Sequence, residues 1–337
     1  MINLLKLVEN EVVKMLSKKK LILISVILLI LVSLFCYGEN SSYKNTIQRY
    51  TKASGQAQGY NWKSLVNQQI LDLQDTLNRP YINDNRKNSI NIQIEQLEYY
   101  LEHNINPITP NTGKFTIEFM QQAVYLFLPL LIVILAADVV SGEFSSKTIK
   151  VLLTRAVPRW KILLSKYIAV LILSCIVILE AVIMCILVSS FIFHSWGWNE
   201  PVATGFRVIA DKLDSSGVVK VYQWQYAILI YSLGWFSSVN IATLAFMIST
   251  LVRSTATSIG IMLASLIGGE FLQLFLSDWP LVKYFFAINL DLPKYLTASY
   301  EPIAGMSLSF SVGVLCIWSL IALVISFIVF TKQDVLV

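Results

Sequence analysis

Blocks of apolar residues alternate with polar segments along most of this chain. Six blocks are about 20 residues long, the length at which a helix crosses a hydrocarbon core of roughly 30 Å. They occupy residues 21–37, 119–137, 162–184, 225–250, 258–276 and 307–330. The third apolar run continues to about residue 194, so we expect its helix to tilt or to protrude. The pattern predicts an all-α polytopic membrane protein with six transmembrane helices.

Composition agrees with that class. Hydrophobic residues make up 55% of the 337-residue chain and charged residues only 14%, whereas about 25% of the residues in a soluble domain are charged. Lysines precede the first block, as in a signal peptide, but no small-residue cleavage motif follows it. We therefore expect the first block to be kept as a membrane span.

Basic residues indicate how the chain is oriented. Lysine and arginine are concentrated in the N-terminal segment and in the segment after the second block, and the turn after the fourth block carries Arg253. The positive-inside rule places these segments in the cytoplasm, and six spans then place both termini there. These segments account for the net charge of +5, so no nucleic acid is expected as a partner.

The first 20 residues predict a helix that lies on the membrane surface. At about 100° per residue, one arc of that helix is apolar and the rest carries lysine, glutamate and asparagine. The apolar arc contains Leu4, Leu5, Val8, Val12, Met15 and Leu16. An ordinary soluble amphipathic helix has the same pattern, but direct continuation into a span favours an interfacial "elbow" helix.

The large hydrophilic segment 38–118 predicts two helices joined by a turn. Apolar residues recur at helical spacing in two stripes, and the turn-forming sequence NRPYINDN lies between them. The stripes are Trp62, Val66, Ile70, Leu73 and Leu77, followed by Ile90, Ile94, Leu97 and Leu101. We expect an extracellular helical hairpin whose stripes face each other. Its role is open between a lid or recognition element for an extracellular ligand and a structural cap or oligomer contact.

The segment SGEFSSKTIKVLLTRAVPRW, residues 141–160, raises the question of nucleotide binding because it contains glycine, lysine and threonine. A phosphate-binding loop needs a second glycine directly before the lysine, so that backbone N–H groups reach the phosphates. Here Ser146 occupies that position, and Gly142 is one residue too close to Lys147. We therefore expect no ATP binding by this chain.

From Phe144 onward, the same segment has the pattern of a short amphipathic helix on the cytoplasmic surface. Its polar face would carry Lys147, Lys150 and Thr154, and its apolar face Ile149, Leu152 and Leu153. Pro158 ends this helix and restarts the chain into the third span. A surface helix joined rigidly to two spans is expected to move both when a partner pushes on it.

The longer sequence SGEFSSKTIKVLLTRAVPRWKILLSKY resembles the ABC-2 type transporter permeases, membrane subunits that separate ATP-binding cassette proteins drive. That family has Gly-Glu at the end of its second span, then Gly-Thr, a leucine-rich stretch and Pro-x-x-Arg before its third span. The matching residues are Gly142, Glu143, Thr148, Leu152, Leu153, Arg155, Arg159 and Lys166. In two departures, Lys147 stands where glycine is usual, and proline is displaced to Pro158, with Ala156 at its usual place.

Two further sequences resemble the same family. NLLKLVENEVVKMLSKKK is similar to the family's elbow helix, with Glu11, Lys14 and Lys20. STLVRSTATSIGI, between the fourth and fifth spans, resembles its short inner turn. With the six-span plan, the resemblance covers nearly the whole chain except the outer hairpin, a less typical insertion that some Gram-positive members carry.

The resemblance implies a type V exporter-like architecture in a Gram-positive plasma membrane. Two permeases, identical or sister chains, would surround a pathway through the lipid bilayer, and ATP-binding cassette ATPase subunits, which hold Mg-ATP, would dock on the cytoplasmic side. The ATPase-coupling residues would be Gly142, Glu143, Lys147, Thr148, Lys150, Arg155, Arg159, Glu11 and Lys14, with Glu143 and the basic face as direct electrostatic contacts. The chain itself would be no enzyme and hold no cofactor. Export of a peptide antibiotic, drug or lipid-like compound is the expected function.

The predicted regions follow the chain from a cytoplasmic N-terminus to a cytoplasmic C-terminus. They are the elbow helix (1–20), span 1 (21–37), the extracellular helical segment (38–118), span 2 (119–140), the coupling loop (141–160), span 3 (161–194), an extracellular loop (195–224), span 4 (225–250), a cytoplasmic turn (251–257), span 5 (258–276), an extracellular or re-entrant segment (277–306), span 6 (307–330) and a tail (331–337).

Two carboxylates fall in or near these spans, and an intramembrane carboxylate is a functional candidate by default. Glu180 is expected near the outer surface, whereas Glu270 lies deeper and is a candidate for a translocation pathway. An intramembrane enzyme is disfavoured because the chain has only two histidines and its four cysteines lack metal-ligand spacing. The alternative function is a non-transporting membrane sensor or immunity protein that binds an extracellular peptide.

Overall fold

Long apolar helices make up most of the computed structural model, which describes residues 4–54, 61–79, 83–149, 157–209, 212–276, 278–297, 300, 302–303 and 305–332. The helices are α1 (Leu4–Ser17), α2 (Lys20–Ser54), α3 (Trp62–Leu77), α4 (Asp84–Glu102), α5 (Thr112–Ala123), α6 (Phe127–Ala136), α7 (Ser141–Ser145), α8 (Arg159–Phe193), α9 (Gln223–Leu251), α10 (Thr255–Phe275) and α11 (Leu308–Lys332). Of these, α2, α8, α9, α10 and α11 are long and apolar enough to cross a membrane. The chain is a helical multi-pass membrane protein.

Helix α9 forms the centre of the bundle. It contacts α5, α6, α8, α10 and α11, and 61% of its most apolar stretch is buried, against 22% for α2, α10 and α11. Gly234 allows a close approach to α5, because a Cβ at this position would overlap the side chain of Met120. The exposed apolar faces of the other helices are those that a membrane protein turns toward lipid or toward another subunit.

The second apolar block does not form one straight helix. α5 begins at Thr112 rather than at 119, and its axis differs from that of α6 by 63°. The cause is Pro129, which has no N–H to donate to the carbonyl of Tyr125 and whose ring crowds that carbonyl. The expectation of one uninterrupted helix from 119 onward is therefore wrong, and two helices at an angle occupy this block.

Helices α3 and α4 pack against each other through the two predicted stripes. Their core contains Val66, Ile70, Ile90 and Ile94, surrounded by Trp62, Leu73, Leu77, Leu97 and Leu101. α2 continues to Ser54 instead of ending near residue 37, and the Tyr50 hydroxyl donates to Asp72 at 3.1 Å. The segment after the first apolar block is thus a helical extension that supports the hairpin.

A small β-hairpin, which the sequence analysis did not predict, interrupts the segment 195–224. β1 (Pro201–Thr204) pairs antiparallel with β4 (Val219–Tyr222), and β2 (Arg207–Ile209) pairs with β3 (Lys212–Asp214) inside it. Ala203 and Phe206 pack with Ile105, Tyr99 and Tyr100. The β-hairpin therefore supports the end of α4.

Between α10 and α11, the chain forms three short 3-10 helices, Val282–Tyr284, Phe286–Asn289 and Leu292–Leu296. They are packed inward, and Leu290, Leu292 and Asn289 are almost fully buried. The Ser237 hydroxyl of α9 donates to the carbonyl of Leu290 at 2.7 Å. This broken segment fills the space beside α9.

The apolar positions of helix α1 are partly buried and partly exposed. Leu7, Val8 and Met15 are buried, whereas Leu5, Val13 and Leu16 are exposed. The buried face contacts α8, and Glu11 lies on it between Val8 and Met15. Leu5 and Leu16, which were expected on one arc with Val8 and Met15, lie at the exposed edge of that arc.

The helix expected from Phe144 onward is interrupted. α7 ends at Ser145, and Lys147 adopts a left-handed conformation with φ 58°, which ends an α-helix. Ile149 is buried, while residues 150–156, with Lys150, Thr154 and Arg155, lie outside the described part of the chain.

The bundle has two chemically different ends. At one end, termed the charged end, the start of α2, the end of α6 and the start of α10 meet, since Lys20 and Thr255 both contact Asp138. The opposite end carries α3, α4 and the β-hairpin and is termed the hairpin end. There the N–H of Thr112 donates to the carbonyl of Ser195 at 2.9 Å.

Candidate functional site

Four charged side chains from three elements meet at the charged end. Lys166 Nζ of α8 lies 2.8 Å from Glu11 Oε2 of α1 and 3.1 Å from Glu143 Oε1 of α7. Lys14, one turn after Glu11, also pairs with Glu143. These four residues are termed the charged junction. Two carboxylates and two ammonium groups balance, so the junction as a whole is neutral.

Local structure explains how these groups meet. Glu11 and Lys14 are three residues apart on α1 and therefore lie on one face of it. After α7, the left-handed Lys147 turns the chain back, so that the N–H of Thr148 donates to the carbonyl of Glu143 at 3.0 Å. The Thr148 hydroxyl donates to the Glu143 carboxylate as well. The turn thus holds the carboxylate toward α1 and α8.

Burial makes mutual pairing necessary for these charges. Lys166 is fully buried and Glu143 is 4% exposed, and an unpaired buried charge is strongly unfavourable. Burial by itself raises the pKa of Glu143, but attraction to Lys166 and hydrogen bonds from Lys14 and Thr148 outweigh it. They lower the pKa of Glu143 from 4.5 to about 2. The carboxylate is therefore ionised at neutral pH.

A second set of ion pairs lies next to the charged junction. Asp138, two residues after α6, lies 2.6 Å from Lys18 Nζ and 2.9 Å from Lys20 Nζ. The Thr255 hydroxyl, at the start of α10, donates to it at 3.1 Å. Burial raises the pKa of Asp138, but hydrogen bonds from the two lysines outweigh burial and lower it. The turn between α1 and α2 is thereby joined to the end of α6.

Close packing fixes α7 against the same groups. A Cβ on Gly142 would overlap the carboxylate of Asp138, so glycine leaves the space that this carboxylate needs. Ser249 Oγ, near the end of α9, accepts hydrogen bonds from the N–H groups of Val140 at 3.1 Å and Ser141 at 3.0 Å. These donors at a helix start would otherwise lack partners. The segment between α6 and α8 is thus attached to α9 and α10.

Two other predicted coupling residues that the structure describes, Lys147 and Arg159, lie outside the charged junction. Lys147 is exposed, and Arg159, the first residue of α8, donates to the carbonyl of Thr331 at 3.3 Å. Lys150 and Arg155 lie outside the described residues. Of the nine predicted coupling residues, the structure brings together Glu11, Lys14, Glu143 and Thr148, with Gly142 beside them.

Glu143 does not offer the direct surface contact that we expected of it. Its carboxylate is buried and already paired with Lys14 and Lys166. The neighbouring side chains at 145 to 147 are exposed instead.

Sequence reasoning missed two members of this region. Lys166 was noted as a family match but not as a site residue, although a lone lysine inside an apolar block needs a partner. Asp138 was also missed. It is an acidic residue at the end of the second apolar block, and lysines that could pair with it precede the first block. Each position indicates that the charged residue has a partner, but the sequence does not show which residue that partner is.

Glu270 lies in a separate cavity of about 700 Å³ at the hairpin end, between α10 and the segment that follows it. Glu180 accepts a hydrogen bond from Ser25 at 3.0 Å and does not line this cavity. Among the described residues, no group of three or more His, Cys, Asp or Glu side chains is arranged to hold a metal ion.

Residues 84–336, about three quarters of the chain, match a family described as "Protein of unknown function (DUF2705)". The chain belongs to the DUF2705 family. This DUF2705 protein is 28% identical to the uncharacterized protein YhcI of Bacillus subtilis over 280 residues, which covers 81% of this chain and 84% of that protein. It is also 28% identical over 214 residues to the uncharacterized membrane protein YdbK of the same organism, covering 62% of this chain and 78% of that protein.

Proposed function

We propose that this DUF2705 protein is the permease subunit of an ABC-2 type transporter, energised by a separate ATP-binding cassette ATPase. The observation that carries the proposal is the charged junction. It joins the helix before the first crossing, the loop after the second and the start of the third. Buried ion pairs resist separation, so a force on α7 reaches α1 and α8 without passing through a flexible linker.

The backbone at Lys147 supports the resemblance to ABC-2 permeases. Glycine is usual at this position in that family, and here the residue has φ 58°. Glycine adopts this left-handed region without steric cost, whereas other residues do so uncommonly. The turn that returns Thr148 to Glu143 is therefore the local shape for which the family's glycine is suited.

In this proposal, the charged end lies in the cytoplasm and both termini lie there too. α5 and α6 together make one of six crossings, and α1 is the interfacial elbow, with its exposed Leu5, Val13 and Leu16 against lipid. Two copies, or this chain and a sister permease, surround the pathway in the plasma membrane of a Gram-positive bacterium. The expected cargo is an exported peptide antibiotic, drug or lipid-like compound.

Site-specific photocrosslinking tests the proposed ATPase docking. A photoreactive amino acid is placed at Lys147, which is exposed at the charged end, and for comparison at Lys63, which is exposed on the hairpin. We expect the first position to crosslink in cells to a protein with an ATP-binding cassette sequence, and the second position not to do so. The purified complex should hydrolyse ATP, and the purified chain alone should not.

Two results would contradict the permease function. One is ATP hydrolysis by the isolated chain. The other is the absence of a cassette protein among the crosslinks from Lys147 while the protein is folded and inserted. Retained resistance of the hairpin to protease shows that the modified chain has folded.

A second candidate function is a membrane sensor or immunity protein that binds an extracellular peptide. The observation that favours it is a cavity of about 350 Å³ at the hairpin end, between α4, α5 and the β-hairpin. Its lining mixes aromatic and polar groups, including Tyr100, Phe206, Lys114 and Gln121. Peptide binding in cells that yield no cassette crosslink would favour this function over transport.

A further inference from the structure

The cavity that contains Glu270 also contains the acidic residue Asp291 and the basic residue Lys294. Asp291 is 1% exposed and lines the cavity together with Glu270, Lys294 and Tyr300. Its Oδ2 lies 2.5 Å from Lys294 Nζ. Among the described residues, none donates a hydrogen bond to Asp291 Oδ1. A buried carboxylate oxygen with no donor is costly, so a ligand that supplies a positive charge here would relieve that cost.

Aromatic rings surround the position that the Lys294 ammonium group occupies. Its Nζ lies 5.1 Å from the ring centre of Tyr125 and 5.6 Å from that of Tyr300. A cation held over such ring faces is stabilised by their negative π clouds. The cavity thus already accommodates one ammonium group between two rings and a carboxylate. Its lining therefore suits positively charged groups.

The charges of the described residues that line the cavity do not balance. Glu270 and Asp291 each carry a negative charge when ionised, while Lys294 supplies one positive charge. Burial and the neighbouring carboxylate of Asp291 raise the pKa of Tyr300, so the phenol stays neutral and adds no further charge. One additional cation would therefore balance the charges of these described residues.

Apolar groups lie beside these charges. Phe271 and Leu274 line the cavity from α10, and they are 58% and 73% exposed. Because α10 is one of the helices that can cross a membrane, this side of the cavity is open toward an apolar environment. A ligand can then keep its apolar part against these residues while its charge meets the carboxylates.

We propose that this cavity binds a hydrophobic organic cation, with the positive group beside the Glu270 carboxylate and next to the ion pair of Asp291 and Lys294. Primary and quaternary amines and basic amphipathic peptides share this chemistry. Binding as such is independent of transport, whereas the role of the cavity as a substrate site rests on the proposed function. The 700 Å³ volume is in the range of pockets that hold drug-sized molecules.

Equilibrium binding of tetraphenylphosphonium to the purified, detergent-solubilised chain tests this proposal. Tetraphenylborate has the same shape and the opposite charge, so it reports apolar partitioning alone. We expect saturable binding of the cation, weakened about tenfold or more by Glu270→Gln, because one carboxylate and its charge are removed. Glu180→Gln, which changes a carboxylate outside the cavity, should leave the affinity unchanged.

Asp291→Asn should also weaken cation binding, and Glu270→Gln keeps the proposal testable if the Asp291 variant fails to fold, because Glu270 is only partly buried. Equal binding of the cation and the anion, or cation affinity unaffected by Glu270→Gln, would overturn the proposal. Specific cation binding without a cassette partner would leave the binding site established and remove the transport function. A cassette partner without cation binding would support the transport function and overturn the cation site.

Discussion

The ammonium group of Lys166 lies 3.1 Å from the carboxylate of Glu143, and neither side chain is more than 4% exposed. Lys166→Met should therefore leave Glu143 paired with Lys14 and remove from the junction the ammonium group that lies beside Glu11. Removing one member of a buried ion pair typically costs about 3–5 kcal/mol. We expect a matching fall in the free energy of unfolding, measured by denaturant titration in detergent.

A double variant separates the effect of lost ion pairing from the effect of lost side-chain packing. In Lys166→Met combined with Glu143→Gln, both charges of one buried pair are removed together, so the double variant should lose less stability than the sum of the two single losses, by about 1 kcal/mol or more. Lys6→Met, at an exposed position of α1, is the matched control and should change little. Strict additivity would show that the four charges do not act as one unit.

The pKa of Glu143 predicts a specific response to acid. Its pKa is lowered to about 2 from 4.5, so the carboxylate stabilises the folded state fully above about pH 4.5. That contribution is lost as the pH falls from 4.5 toward 2, because in this interval the unfolded state binds a proton that the folded state does not, and this favours unfolding. The stability difference between the wild type and Glu143→Gln should therefore shrink over this interval.

Thermal unfolding at a series of pH values between 2 and 7, run in one detergent, measures this difference. Glu9→Gln, at an exposed position of α1, serves as the control and should differ from the wild type by little at any pH. A gap between wild type and Glu143→Gln that is constant from neutral pH to pH 2 would mean that the carboxylate is not held in ion pairs.

Gly142 and Gly260 provide a matched pair of glycine substitutions. Both lie in helices, where alanine is intrinsically favoured by up to about 1 kcal/mol. A Cβ at Gly142 would overlap the Asp138 carboxylate, whereas a Cβ at Gly260 would meet nothing within 4 Å. Gly142→Ala should therefore lower the unfolding temperature and Gly260→Ala should leave it unchanged or raise it. Equal effects would argue that α7 does not pack on Asp138.

Hydropathy predicted much of the helical framework because long apolar blocks are unambiguous. α9 runs from Gln223 to Leu251 where 225–250 was expected, and α11 runs from Leu308 to Lys332 where 307–330 was expected. The same signal could not show that α2 extends to Ser54, since the sequence after residue 37 is polar. Apolar length reports where a membrane is crossed, and it says nothing about how far the helix continues beyond it.

The candidate site was predicted only in part, for a physical reason. Lys14 and Glu143 are 129 residues apart, and Glu11 and Lys166 are 155 residues apart. Spacing along one helix predicts which residues share a face, but contacts at such separations depend on how helices pack. The β-hairpin was missed for a different reason: its strands have three or four residues, too few for a clear alternation.

The core between α3 and α4 predicts that the hairpin can be disrupted separately from the bundle. Val66 is fully buried in that core, whereas Leu71 on the same helix is 52% exposed. Val66→Asp should make the segment 61–102 sensitive to protease, because an unpaired carboxylate would be buried. Leu71→Asp should not, and both variants should insert into the membrane. Unchanged protease resistance in Val66→Asp would contradict the packing of the two stripes.

Chemical labelling of three lysines tests which end of the bundle faces the cytoplasm. Lys63 on the hairpin and Lys147 at the charged end are exposed, and Lys166 is fully buried. A membrane-impermeant amine reagent added to intact cells should modify Lys63 and spare Lys147. After the membrane is permeabilised, Lys147 should react while Lys166 stays unmodified, since burial protects it independently of the bilayer. Mass spectrometry of the peptides reads all three positions in one experiment. Modification of Lys147 in intact cells would place the charged end outside, where no ATPase can reach it.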